Sequence, residues 1–195
     1  MVDVRRQIRE ANRNAQMATC ARLAENWLKH HPDDVPVMLD YAEVLVAMAR
    51  YDESLRLYQR ILELEPEKSG WIYGFLGHLY KEKGDFSEAE YWYQRAFLSA
   101  ADDDASAFIF LGAVQARQGK LDEAEATHRR ATLCSEGHID EAFHNLGLVL
   151  RAQGRLEEAA ECFRKAIEID PDYDEWIEAL HDVETALNLP LDDLV

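Results

Sequence analysis

Side chains that could carry out catalysis or bind a metal are scattered through this chain of 195 residues. Of seven histidines only His30 and His31 are adjacent, and the three cysteines are Cys20, Cys134 and Cys162. The cysteines form no C-x-x-C pair and their number is odd, which favours packed thiols over a disulfide framework or a zinc site. Neither H-E-x-x-H, nor a phosphate-binding glycine loop, nor a nucleophile motif is present. We therefore predict no enzyme and no metal or cofactor.

The charge of the chain is uneven. The whole chain has a net charge of −17, yet residues 1–30 carry six basic and three acidic side chains, and the rest has a net charge of −20. An acidic body repels phosphates, so we expect no nucleic-acid partner. No apolar run approaches the roughly 18 residues of a membrane span, and the N-terminus lacks the apolar region of a signal peptide. We expect a soluble, cytoplasmic protein without a membrane partner.

One short pattern returns every 35 residues. It begins at Ala49, Gly84, Gly119 and Gly154, and its last copy reads Gly-Arg-Leu-Glu-Glu-Ala. A fixed period of this size indicates a stack of one supersecondary unit. Apolar residues within each unit recur with helical spacing, and the glycine allows the positive φ that ends the first helix of a pair. The pattern predicts a helix, a turn and a second helix in each unit.

Three further glycines, Gly77, Gly112 and Gly147, lie inside the predicted first helices. Each costs roughly 1 kcal/mol relative to alanine, so a shared phase needs a structural reason. We expect the missing side chains to allow close approach of the paired helix, with a matching small surface from Ala89, Ala124 and Ala159.

These residues together resemble the tetratricopeptide repeat, in which large apolar, Leu-Gly, alanine, aromatic and proline positions follow in order. The fourth unit matches most fully, at Phe143, Leu146, Gly147, Leu150, Ala159, Phe163, Ala166 and Pro171. In the third unit Gln115 and His128 replace large apolar residues, and we expect them to satisfy each other or a water. The resemblance implies an all-α solenoid, a right-handed superhelix of antiparallel helix pairs with a C-terminal capping helix.

The repeat boundaries divide the chain into seven segments. We predict a degenerate helix pair at 1–34, four units at 35–69, 70–104, 105–139 and 140–173, a capping helix at 174–187 and a tail at 188–195.

The resemblance also implies where a partner binds, because such proteins hold a peptide or helix in the concave groove that the first helices line. The predicted groove residues are Trp71, Gly74, Phe75, His78, Ile109, Phe110, His144 and Asn145, together with Arg5, Arg9 and Arg13. The family's carboxylate clamp is absent, since Asp40 and Glu43 stand at its positions in the first unit. We expect Gly74 to leave a gap beside its aromatic neighbours, facing Phe110.

Alternatives remain for these residues and for the function. The aromatic residues could pack between neighbouring first helices, and the arginines could belong to a solvated, frayed helix. The leading prediction is a scaffold that binds a partner protein or peptide of unknown identity. An accessory module of a larger enzyme or signalling assembly and a weakly associating homo-oligomer are the alternatives.

Overall fold

A computed structural model describes residues 3–99 and 104–189 of the chain. Within these residues the fold consists of helices and connecting turns, with no strand. The predicted tail lies mostly outside the described residues, at 190–195. Over the same described ranges no helix is long and apolar enough to cross a membrane. The chain divides into two compact units, of which the first ends at Ser99 and the second begins at Ala100.

The first unit contains three helix pairs. The helices are α1 (Val4–Arg13), α2 (Met17–Leu28), α3 (Val35–Ala47), α4 (Tyr51–Leu64), α5 (Ser69–Lys83) and α6 (Phe86–Ser99), and a 3-10 turn, Pro66–Lys68, precedes α5. Because only short turns join the partners of each pair, the helices pack as antiparallel hairpins. One apolar cluster joins α1 and α2 to α3, and a second joins α3, α4 and α5.

The second unit contains two helix pairs and a final single helix. Its helices are α7 (Ala105–Arg117), α8 (Leu121–Ala131), α9 (Ile139–Ala152), α10 (Leu156–Ile169) and α11 (Asp174–Leu187). Helix α11 buries Trp176, Ala179 and Val183. Acidic side chains such as Glu175 and Glu178 stay exposed, so α11 covers the last pair with a polar outer surface, as a capping helix does.

Left-handed turns end the first helix of each pair. Gly84, Gly119 and Gly154 have φ between 77° and 82°, as the repeat pattern predicts. In the earlier pairs the same conformation falls on Ala15 and Ala49, with φ of 53° and 57°. Alanine is strained there because its Cβ approaches the following carbonyl.

The internal glycines are explained by close packing, although the neighbouring group differs from the one expected. A Cβ on Gly77 would lie 2.5 Å from the ring of Tyr93, and one on Gly147 would lie 2.5 Å from Phe163. The paired helix therefore inserts an aromatic ring at each glycine, rather than presenting only the small residues Ala89, Ala124 and Ala159. Those alanines are fully buried.

In the third repeat the group inserted against Gly112 is the imidazole of His128, 2.6 Å from the position of a Cβ. Gln115 and His128 are both buried, but the side-chain oxygen of Gln115 accepts a hydrogen bond from the hydroxyl of Thr127 at 2.7 Å. The Nδ1 atom of His128 is buried without a hydrogen-bond partner among the described residues. Burial lowers the pKa of His128 from its ordinary value to about 4.

Candidate binding face

Helix α5 of the first unit presents the most exposed aromatic residue of the predicted groove. The 3-10 turn before α5 carries the chain to Trp71, which is 79% exposed in the first turn of the helix. A shallow cleft of about 250 Å³ lies against this side chain and is lined by Glu67, Lys68, Gly70 and Trp71. The packing alternative requires Trp71 to lie between neighbouring helices. Its high exposure does not fit that arrangement.

One turn further along α5, Gly74 lies beside open space. A Cβ at this position would have no neighbouring atom within 4 Å, in contrast to the crowded Gly77 three residues later. Phe75 is half-buried and stacks on Tyr58 of α4, with ring centroids 5.8 Å apart and ring planes 11° apart. His78 is exposed at the next turn. We call Trp71, Gly74, Phe75 and His78 the α5 shelf.

Helix α3 carries two carboxylates, Asp40 and Glu43, at the positions that the family's carboxylate clamp would occupy. The side-chain amide of Asn12 in α1 donates to Asp40 Oδ1 at 3.2 Å and to Glu43 Oε2 at 3.0 Å. Arg9 lies farther away, with its Nε 4.0 Å from Asp40 Oδ2. Burial and the neighbouring Asp40 raise the pKa of Glu43, against the opposing effect of its hydrogen bond from Asn12.

The arginines of α1 differ in how strongly the protein itself holds them. Arg5 forms an ion pair with Asp34, whose Oδ2 lies 2.7 Å from the arginine Nε and also accepts from the indole of Trp27. Arg6 pairs with Glu10 in the same helix, while Arg13 forms no ion pair among the described residues. A cleft of about 480 Å³ runs along this side of α1 and is lined by Asp3, Arg5, Arg6, Arg9, Glu10 and Arg13. Side-chain contacts from Arg5 and Asn12 thus join α1 to α3 and to the residue before it.

The predicted groove residues of the second unit divide into buried and accessible ones. Ile109 is 2% exposed and His144 is 5% exposed, so neither can contact a ligand at the surface. The His144 ring packs near Phe163 and Trp176, and burial lowers its pKa. Phe110 is 45% exposed and Asn145 is half-buried. The prediction that Gly74 faces Phe110 relates the two units and stays a prediction.

Comparison with known protein families agrees with the architecture. Three tetratricopeptide repeat models match residues 33–97, 76–138 and 140–173, which together make up most of the chain. The chain belongs to the tetratricopeptide repeat family. This tetratricopeptide protein also shares its all-helical fold with solved structures.

Two solved structures illustrate that likeness. PilW, described as a widely conserved type IV pilus biogenesis factor, has a TM-score of 0.74 at 18% identity, over 97% of this chain and 92% of PilW. YrrB, described as a TPR protein with an unusual peptide-binding site, has a TM-score of 0.65 at 22% identity, over 88% and 87% of the two chains. At this level of identity the likeness concerns the fold alone.

A curated relative is much longer than this tetratricopeptide protein. The general transcriptional corepressor ssn6 of Schizosaccharomyces pombe is 33% identical over 78 residues, which are 40% of this chain and 7% of the corepressor. This chain therefore spans only a small part of the length of that relative.

Two residues of this face were missed by the sequence reasoning. Asn12 joins α1 to both α3 carboxylates, and Asp34 binds Arg5 and Trp27 at the start of α3. Asn12 lies three residues after Arg9, so the helical spacing of the arginines could have identified it. Asp34 has no comparable signal, because a carboxylate before a helix is usually interpreted as a cap.

Proposed function

We propose that the first unit binds a segment of a partner protein, with an apolar side chain of that segment anchored on the α5 shelf. The observation that carries the proposal is the exposure of Trp71 beside the open space at Gly74. A large aromatic surface next to a gap suits an aromatic or aliphatic anchor, and such anchors supply most of the binding energy in protein interfaces.

The floor of the shelf supports this assignment. Phe75 is held by its stacking on buried Tyr58, so a ligand that lies on it orders little additional side-chain motion. His78 adds one exposed polar group that can orient the segment. YrrB, whose description mentions a peptide-binding site, gives a precedent for peptide binding on this fold.

The proposal can be tested with a random peptide library displayed on phage. Peptides selected on the wild type are compared for binding to Gly74→Leu. Since a Cβ at Gly74 meets open space and leucine favours a helix more than glycine does, we expect the variant to melt no lower than the wild type while its leucine fills the gap. Selected peptides should then bind about tenfold more weakly or worse. Ala126→Leu is the matched control, since it adds the same side chain to an exposed position of α8.

Loss of the melting transition in Gly74→Leu would mean that the gap is a packing feature. Unchanged peptide affinity in a folded Gly74→Leu would remove the shelf as the binding site. Equal losses in Gly74→Leu and Ala126→Leu would point to a general effect of a surface leucine.

A second candidate function is an accessory module within a larger assembly. The likeness to 7% of a general transcriptional corepressor favours it, because the matched stretch is a small part of a much longer protein. The two functions are compatible, since an accessory module also acts through a binding face. A stable stoichiometric complex in size-exclusion chromatography of native extracts, disrupted by Gly74→Leu, is the expected result if both hold.

A further inference from the structure

We infer that the partner segment is acidic at one end, with carboxylate side chains on the arginines of α1 and its apolar anchor on the α5 shelf. This inference rests on the proposed function for the position of the anchor. The α1 arginine stripe consists of Arg5, Arg6, Arg9 and Arg13.

The arginines of the stripe are neutralised unevenly by their neighbours. All four line the cleft of about 480 Å³ together with Asp3 and Glu10, and the carboxylates of Asp34 and Asp40 lie nearby. Arg5 and Arg6 each have a close carboxylate, at 2.7 Å in both pairs. Arg9 has only a distant one at 4.0 Å, and Arg13 has none among the described residues. Arg9 and Arg13 are therefore the side chains that can take carboxylates from a partner.

The spacing of these two arginines suits such a contact. Residues four apart lie on the same side of a helix, one turn above the other. A guanidinium group also presents several N–H donors in a planar fork that matches a carboxylate. Arg9 and Arg13 can thus hold two neighbouring acidic side chains of an extended segment.

The charges on helix α3 limit which part of the partner segment can be acidic. Asp40 and Glu43 are already held by one amide, from Asn12, and burial raises the pKa of Glu43. A partner carboxylate above this pair would meet like charge without compensation, which is unfavourable in partly buried surroundings. The part of the segment that crosses α3 is therefore neutral or basic.

The order of the helices gives the distance between the apolar anchor and the acidic end of the partner segment. Helices α1, α3 and α5 follow one another side by side in the first unit. Packed helix axes are about 8–10 Å apart, so α1 and α5 are separated by roughly 16–20 Å. An extended chain advances about 3.3 Å per residue, which places the carboxylates about five or six residues from the anchor.

A library of random 16-residue peptides, selected against wild type and charge variants, tests the inference. Wild type should enrich Asp and Glu about five or six residues from the apolar anchor. Arg9→Glu/Arg13→Glu should lose this enrichment or replace it with Lys and Arg. The peptides that wild type selects should bind this variant about tenfold more weakly, and salt should reduce the difference.

The matched control reverses two basic side chains on the neighbouring helix. Arg22→Glu/Lys29→Glu makes the same change in net charge, but at an exposed position of α2 and at the exposed residue that follows this helix. It should keep the acidic enrichment and stay within about twofold of the wild-type affinity. Arg9→Gln/Arg13→Gln serves as a second test variant, since it removes the charge without placing a new carboxylate beside Asp40.

Each outcome separates this inference from the proposed function. No acidic enrichment, or equal losses in the α1 and α2 variants, overturns the inference while anchored peptides still support the shelf. If no peptide depends on the shelf, hexaglutamate provides an independent probe of the stripe. Amide chemical-shift changes at α1 that vanish in Arg9→Gln/Arg13→Gln would then support the stripe, and their absence would overturn it.

Discussion

Two glycines in one helix show how differently the same residue type can be used. Gly77 faces the ring of Tyr93, where a Cβ would lie 2.5 Å away, whereas Gly74 faces open space. Both occupy helical positions, so propensity alone treats them alike. Packing against Tyr93 explains Gly77, whereas no packing contact explains Gly74.

Alanine substitutions at these two positions should change stability in opposite directions. Gly77→Ala should lower the free energy of unfolding by about 1–3 kcal/mol, because the methyl group overpacks the contact with Tyr93. Gly74→Ala should raise it by about 0.5–1 kcal/mol through better helix propensity. Urea denaturation followed by circular dichroism measures both. Destabilisation of similar size in the two variants would contradict the assignment of Gly74 to open space.

His128 should make the fold sensitive to acid. Its pKa in the folded protein is about 4, below the ordinary value of 6.5, because burial disfavours the charged ring. Between these pH values the unfolded chain binds a proton that the folded chain does not. Stability is therefore fully present above about pH 6.5 and falls as the pH drops towards 4, by about 3 kcal/mol.

His128→Phe should remove this part of the pH dependence. Phe163 fills the equivalent slot against Gly147, so the fold accommodates a phenyl ring there. Urea titrations at pH 7 and pH 4.5 should show a smaller acid loss in His128→Phe than in wild type. His181→Phe, at an exposed position of α11, should keep the wild-type loss. An unchanged acid loss in His128→Phe would mean that other groups cause it.

At the scale of helices, the ends of each pair were predicted unevenly from the sequence. The left-handed glycines were correct, because positive φ has a clear residue preference. The starts of the second helices are less clear from the sequence, because aspartate favours the cap position. Asp52 and Asp122 instead lie inside the first turns of α4 and α8, which begin one residue earlier. The backbone amide of the residue before each helix instead bonds to the preceding helix, as in Arg50 N to Leu45 O at 2.8 Å.

The left-handed alanine between α3 and α4 is a site where stability can be gained. Ala49→Gly should raise the free energy of unfolding by up to about 1 kcal/mol, since the strain at φ of 57° exceeds the added entropy of the unfolded glycine. Ala126→Gly, in the exposed middle of α8, should lower it by about 1 kcal/mol. Thermal melts of both variants check the sign, and a lower melting temperature for Ala49→Gly would refute the strain.

The predicted groove positions also show the limit of a helical repeat pattern. It identifies the side of a helix but not the depth of a residue, so Ile109 and His144 were included although both are buried. His144 is covered by contacts with Trp176 of the single helix α11, which the repeat itself does not contain. Trp71 is exposed and Gly74 lies beside open space, as accessible groove positions should. Gly74 was recognisable because it departs from the repeat pattern.

At the scale of the whole molecule, fold and specificity have different sources. Solved proteins with 18–22% identity share the fold, since a repeat array needs only small, aromatic and left-handed positions in the right order. Trp71 on the α5 shelf and Arg9 and Arg13 on the α1 stripe are exposed and lie outside those packing positions. We therefore expect the specificity of this chain to depend on residues that the repeat leaves unspecified.

The central claim is that the exposed tryptophan of the shelf binds the partner. Its most direct test compares Trp71→Ala with Leu98→Ala, because these two side chains are 79% and 80% exposed on neighbouring helices of one unit. Dissociation constants of a library-selected peptide, measured by fluorescence polarisation, should rise at least about tenfold for Trp71→Ala and stay near the wild-type value for Leu98→Ala. Equal affinities of the two variants would contradict the claim.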